Sequence, residues 1–184
     1  MEDKNSQTEE QEVSDEASTV EETIAVDEIK LASYIERIKL EQNLPMGIGY
    51  GIIAMLVSAL LWATITVAVD YQIGYMAIGV GFIVGFAIRY GGKGLDQIYG
   101  ISGASLALVG CALGNLLSVV GYASNANGMG YFEIIEMLDL TLVTELMVDT
   151  FNPLDAVFYG IALYYGYKLS FRRVTDEEIA EHAI

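Results

Sequence analysis

Between Tyr71 and Ile88, and again between Gln97 and Phe132, the chain carries no charged side chain. Only Arg89-Tyr-Gly-Gly-Lys-Gly-Leu-Asp96 separates the two runs, so neither reads as a water-facing surface. Small residues recur in both at helical steps: Ala77, Gly81 and Gly85 in the first, then Gly103, Ala107, Gly110, Gly114, Ser118 and Gly121 in the second. Steps of three and four place each set on one face of a helix. In water such a stripe weakens a helix, since each glycine costs about 1 kcal/mol relative to alanine. In a bilayer it is useful, because small residues let backbones approach where no hydrophobic force draws helices together. The pair therefore reads as the central hairpin of a polytopic membrane protein, with these residues as its helix-packing seam.

Composition agrees once charge is located along the chain. The sequence is 53% hydrophobic yet has 25 acidic against 9 basic residues, a net charge of −16. The acids crowd before Ile29 and the long apolar runs begin after Glu41. Residues 1–22, rich in Glu, Ser, Gln and Thr, are expected to be a disordered acidic tail that buries too little to offset ordering entropy. An acidic balance argues against nucleic-acid binding, which needs clustered Lys and Arg. Cys111 is the one cysteine, which leaves no intrachain disulfide, and His182 the one histidine. The acidic start has no apolar h-region, so no cleavable signal peptide is expected.

Residues 23–42 read as an amphipathic helix: Leu31, Tyr34, Ile35 and Ile38 share a face while Glu28, Lys30, Glu36, Arg37 and Glu41 turn elsewhere. Two placements suit it, in the headgroup plane or docked on a partner chain. A four-span membrane domain then occupies 43–172, with spans at about 46–69, 73–89, 99–122 and 153–171. The first is uncharged throughout, and at about 1.5 Å per residue covers roughly 36 Å, enough to cross a hydrocarbon core. Asn115 in the third is an expected interhelical hydrogen-bonding group. Residues 124–130 read as a loop. The segment 129–151 carries Glu133, Glu136, Asp139, Glu145 and Asp149. It is expected to form one or two short amphipathic helices on the outer surface, because burying such acids at mid-bilayer is too costly. Asn152-Pro153-Leu154-Asp155 is a helix start, with Asn as cap, Pro in the first turn and an acid near the positive helix end. The expected fold is all-α: an integral membrane four-helix bundle with an N-terminal amphipathic helix, and a cytoplasmic tail over 173–184.

Bases lie before the first span, between the second and third (Arg89, Lys93) and after the fourth (Lys168, Arg172, Arg173). That alternation satisfies the positive-inside rule with both termini cytoplasmic, and makes those five residues expected headgroup contacts. The connector's Gly91-Gly-Lys-Gly94 is not a phosphate loop. A P-loop requires Ser or Thr after the lysine, where Gly94 stands, and a preceding strand.

Glu41-Gln-Asn-Leu-Pro45, the run from Tyr71 to Gly81, Leu108-Val-Gly-Cys-Ala-Leu-Gly-Asn115 and Tyr159-Gly-Ile-Ala-Leu-Tyr164 resemble a family of small bacterial polytopic membrane proteins. The likeness spans roughly residues 37–122 and 152–172. It implies a bacterial cytoplasmic-membrane protein and carries no activity or catalytic residues with it.

By inventory the chain is poorly equipped for chemistry: no His or Cys pair, no paired intramembrane carboxylates, no metal-ligand cluster, no cofactor motif. The expectation is a non-enzymatic membrane scaffold or interaction protein. Its partners are the lipid bilayer and either further copies of itself or another membrane protein. A small channel or facilitator with a pore between subunits is the alternative, since the outer acids could gather cations at an entrance.

Overall fold

The computed structural model describes residues 30–71, 74–175 and 178. The acidic tail, the first residues of the amphipathic segment, Gln72 and Ile73, and most of the C-terminal tail lie outside the described residues. All regular structure among those described is helical. The chain divides into two compact units, one comprising Met1–Glu41 with Arg173–Ile184, the other Gln42–Arg172.

In the first unit, residues 30–40 form helix α1. Tyr34 and Ile38, one turn apart, are its buried side chains, while Ile35 is exposed along with Glu36 and Arg37. The apolar face is thus narrower than the spacing predicts.

The second unit holds α2 (Leu44–Val69), α3 (Met76–Gly92), α4 (Gln97–Asn127), α5 (Tyr131–Met137), α6 (Leu140–Asp149) and α7 (Pro153–Leu169). Asn43 starts α2 by accepting the Met46 N–H at 3.0 Å, with Pro45 in the first turn where no donor is needed. Asp70 ends it in the left-handed conformation at φ 52°. Lys93 ends α3 in the same way at φ 47°. Gly128, at φ 65°, ends α4. Asn152 starts α7 with a reciprocal cap, accepting the Leu154 N–H while Asp155 accepts the Asn152 N–H.

Helices α3 and α4 pack on each other, and each also packs on α2 and on α7. The backbones of α2 and α7 lie on opposite sides of that pair, and α5 and α6 pack against α4. Hydrogen bonds identify the two ends. At one, the Asn43 N–H donates to the Gly92 carbonyl and the Arg172 N–H to the Gly94 carbonyl. The starts of α2 and α4 therefore meet the ends of α3 and α7. At the other, the Tyr122 hydroxyl near the end of α4 donates to the Thr66 carbonyl near the end of α2 at 3.1 Å.

Two elements depart from the sequence expectation. Residues 124–127 are not loop but the last turn of α4, which Ser124 secures by donating its hydroxyl to the Met129 carbonyl at 2.6 Å. Tyr90-Gly-Gly92 is likewise helical, and Gly92 lies so close to α2 that a methyl placed on Gly47 would be 2.9 Å from its Cα. The acidic segment does form two short helices. Its acids partly serve as caps: Glu133 accepts the Gly130 N–H and Asp139 the Leu142 N–H.

On α2 and α4 burial runs opposite to that of a water-soluble helix bundle, whereas α3 buries Val80, Val84 and Ile88. On α2 the buried face is Gly47, Gly51, Ala54, Ser58, Ala59 and Thr66, with Met55 and Trp62 as its large members. The exposed face is Ile53, Leu56, Val57, Leu60 and Leu61, each about half exposed or more. Helix α4 repeats this, burying Gly103, Gly110, Gly114, Asn115 and Ser118 while Ile98, Ile101, Leu108 and Val109 are exposed. On these two helices most of the inward face is small or polar, with Met55, Trp62, Tyr99, Cys111 and Val120 as its larger members, and the outward face is large and apolar. Among the described residues, α2 and α4 alone are both long and apolar enough to cross a membrane; α3 is a shorter apolar helix.

Candidate functional site

The small-residue stripes make three separate contacts rather than one seam between α3 and α4. Gly81 and Gly85 face α7: a methyl on Gly81 would lie 2.5 Å from the Ala162 carbonyl oxygen, and one on Gly85 2.8 Å from the Leu169 Cβ. Gly103 also faces α7, against Gly166 and Ser170. Ala107 is buried, within reach of a methyl on Gly166. Gly110 turns to Val80 and Met55, and Gly114 to the Trp62 ring. Ser118 donates its hydroxyl to the Gly114 carbonyl of its own helix. Ala77 is fully buried, its carbonyl 3.8 Å from Cys111 Sγ.

Asn115 is buried in α4, and its amide lies 4.0 Å from Met147 Sδ. That contact links α4 to the short helix α6, a neighbour outside the four expected spans. Tyr159 meets Trp62 edge to face at a centroid distance of 6.5 Å and directs its hydroxyl to the Cys111 carbonyl. Trp62 Nε1 and Thr66 Oγ1 are buried with no hydrogen-bond partner among the described residues.

The connector after α3 is a clasp. Gln42 Oε1 accepts the Leu95 N–H at 3.0 Å and the Asp96 N–H at 3.4 Å. Lys93 N–H returns to the Arg89 carbonyl. Tyr99 covers Gly92 and Gly94, and Tyr50 covers Gly91. The Lys93, Leu95 and Asp96 amides are thus occupied, and the glycines make room for aromatic rings. Gln42 had no signal in the sequence beyond being an amide one residue before a helix cap.

Among the expected headgroup contacts, Lys93, Lys168 and Arg173 are exposed, and Arg89 and Arg172 partly so. Lys168 turns back one helical turn, bonding the Tyr164 hydroxyl at 3.0 Å over that ring. Arg89 and Lys93 at the end of α3 and Lys168 and Arg172 at the end of α7 occupy the clasp end. The opposite end carries Asp70, Asp155 and the acids of α5 and α6. There a recess of about 390 Å³ lies between the link before α3 and the start of α7, with Tyr71, Tyr75, Thr150, Asp155 and Phe158 among its walls.

No three His, Cys, Asp or Glu side chains gather as metal ligands among the described residues. The chain matches no family model, no curated protein and no solved structure.

Proposed function

We propose that this chain is a non-enzymatic integral membrane protein of a bacterial cytoplasmic membrane, crossing it four times with both termini cytoplasmic. It acts as a scaffold by binding copies of itself or a membrane partner. The observation that carries the reading is the inverted burial of α2 and α4, large apolar side chains outward and glycine, serine and asparagine inward. Water would penalise that arrangement; lipid tails accommodate it. At 17 residues each, α3 and α7 are about 26 Å long and match a hydrocarbon core only with flanking tyrosines at the headgroups. Collection of the bases of residues 42–172 at one end of the bundle supports a cytoplasmic clasp end, and the acids then face outward.

The test combines cross-linking in native membranes with solute- and ion-flux assays on reconstituted liposomes. Cross-linked oligomers or one defined partner, with flux no higher than in empty vesicles, is the expected result. Selective flux that collapses in Glu133→Gln/Glu136→Gln protein would replace the scaffold with a channel.

A further inference from the structure

Helices α3 and α7 run side by side in the same direction, since Gly81 meets Ala162 and Gly85 meets Leu169. One flank of their contact is lined with rings. Phe82 and Tyr165 stack across it, with centroids 4.3 Å apart and planes tilted by 30°. Phe86 adds a ring 6.4 Å from Phe82, and Tyr164 one 5.4 Å from Tyr165. Phe86 is 49% and Tyr164 54% exposed, so this flank is an open groove. The other flank is closed by α4, whose Gly103 meets Gly166 and Ser170. At about 100° per residue, those two positions of α7 point away from Tyr165 and Lys168.

The open groove ends in two cations at the clasp. Arg89 follows Phe82 by two helical turns and Phe86 by one, which places it on their face of α3. Lys168 is one turn beyond Tyr164 and Tyr165, and its ammonium bonds the Tyr164 hydroxyl at 3.0 Å. Gly85 lies one turn before Arg89 and meets Leu169, so the two cations are about one turn, roughly 5 Å, apart along the axis. Helix α3 carries no acid, and the nearest on α7 is Asp155, about 20 Å before Lys168. Asp96 caps α4, the helix that closes the other flank. Two cations along a groove without an acid favour a negatively charged group, and half-exposed rings beside them favour an apolar chain attached to it.

We propose that this groove holds an anionic phospholipid, its phosphate between Arg89 and Lys168 and an acyl chain along Phe82 and Phe86. The site rests on the membrane reading and names the lipid class that reading would require at the clasp end. Arginine presents a fork of donors to phosphate oxygens, and lysine adds a point charge. From Arg89 back to Phe82 the groove runs about 10 Å, room for the upper part of an acyl chain. A zwitterionic lipid brings its own ammonium toward the two cations and loses the advantage.

The experiment is native mass spectrometry of the full chain in mild detergent, with dioleoylphosphatidylglycerol or dioleoylphosphatidylethanolamine added at equal concentration. One phosphatidylglycerol per chain is expected, held about ten-fold more tightly than phosphatidylethanolamine. Arg89→Gln/Lys168→Gln protein is expected to lose that preference. Arg37→Gln/Lys39→Gln removes the same charge from exposed positions of α1 and should retain it. Phe86→Ala keeps both cations and alters a half-exposed ring, so it tests the groove in folded protein; several-fold weaker phosphatidylglycerol binding is expected. Equal binding of the two lipids, equal loss in the α1 variant, or unchanged binding in Phe86→Ala overturns the proposal. Carbonate washing of the same cells' membranes separates this failure from that of the membrane reading. A chain washed out overturns both, whereas a chain that stays and binds the two lipids equally overturns the groove alone.

Discussion

Gly79 and Gly81 are two residues apart on α3 and meet opposite surroundings. A methyl on Gly79 touches nothing within 4 Å, whereas one on Gly81 would meet the Ala162 backbone, which cannot rotate away. Gly81→Ala is therefore expected to lower stability by about 1–3 kcal/mol through overpacking. Gly79→Ala should be neutral or gain up to about 1 kcal/mol of helix propensity. Thermal unfolding in mild detergent, followed by circular dichroism, distinguishes them; equal melting would mean that the α3–α7 approach is not tight. Thr66 poses a complementary case, its hydroxyl buried without a partner among the described residues. Thr66→Val keeps the shape and removes an unsatisfied group, so it should cost nothing or gain up to about 1 kcal/mol. A loss of 2 kcal/mol or more would show that the hydroxyl has a partner in the membrane.

The elements show what could be read from the sequence and what could not. The start of α7 was legible in Asn152-Pro153-Leu154-Asp155, because a cap is a local device written in neighbouring residues. Most of α2 was legible in its lack of charge, and one or two short helices in the acidic segment were legible in the cost of burying its five acids at mid-bilayer. Periodicity also placed the small residues on faces, but it contains nothing about which helix lies opposite. Gly81 and Gly103 both turn to α7, a contact made across more than fifty residues of chain. The last turn of α4 was hidden for another reason: Ser, Asn and Gly favour loops in isolation, and a side-chain bond from Ser124 to Met129 overrides that preference. The clasp was invisible because an amide reaching two backbone donors from 53 and 54 residues away leaves no local pattern. It gives an element-scale prediction. Gln42→Ala frees the Leu95 and Asp96 amides and should cost about 1–2 kcal/mol, with Gln42→Glu recovering part of the loss through its carboxylate oxygens. Faster amide hydrogen exchange at residues 95 and 96 in Gln42→Ala protein is the direct check. Unchanged exchange would mean that Gln42 does not hold the connector.

For the whole molecule, charge gives the bundle a direction. From Leu40 to Ile88 and from Gly94 to Tyr167 there is no lysine or arginine, so the bases of residues 42–172 lie at the clasp end. Each lysine or arginine near an anionic leaflet contributes about 1 kcal/mol, so four of them favour one orientation by several kcal/mol. The chain supplies a clean background for measuring that orientation, since Cys111 is its one cysteine and is fully buried. A membrane-impermeant maleimide should leave the native protein unlabelled in intact cells. Asn125→Cys, exposed near the end of α4, is expected to label from outside. Lys93→Cys, exposed at the clasp, should label only after the membrane is opened. Because α4 joins those two positions, opposite accessibility would mean that it crosses the bilayer. Labelling of both from the same side would take α4 out of the membrane, and labelling of Lys93→Cys alone from outside would invert the molecule and turn the Asp155 recess toward the cytoplasm.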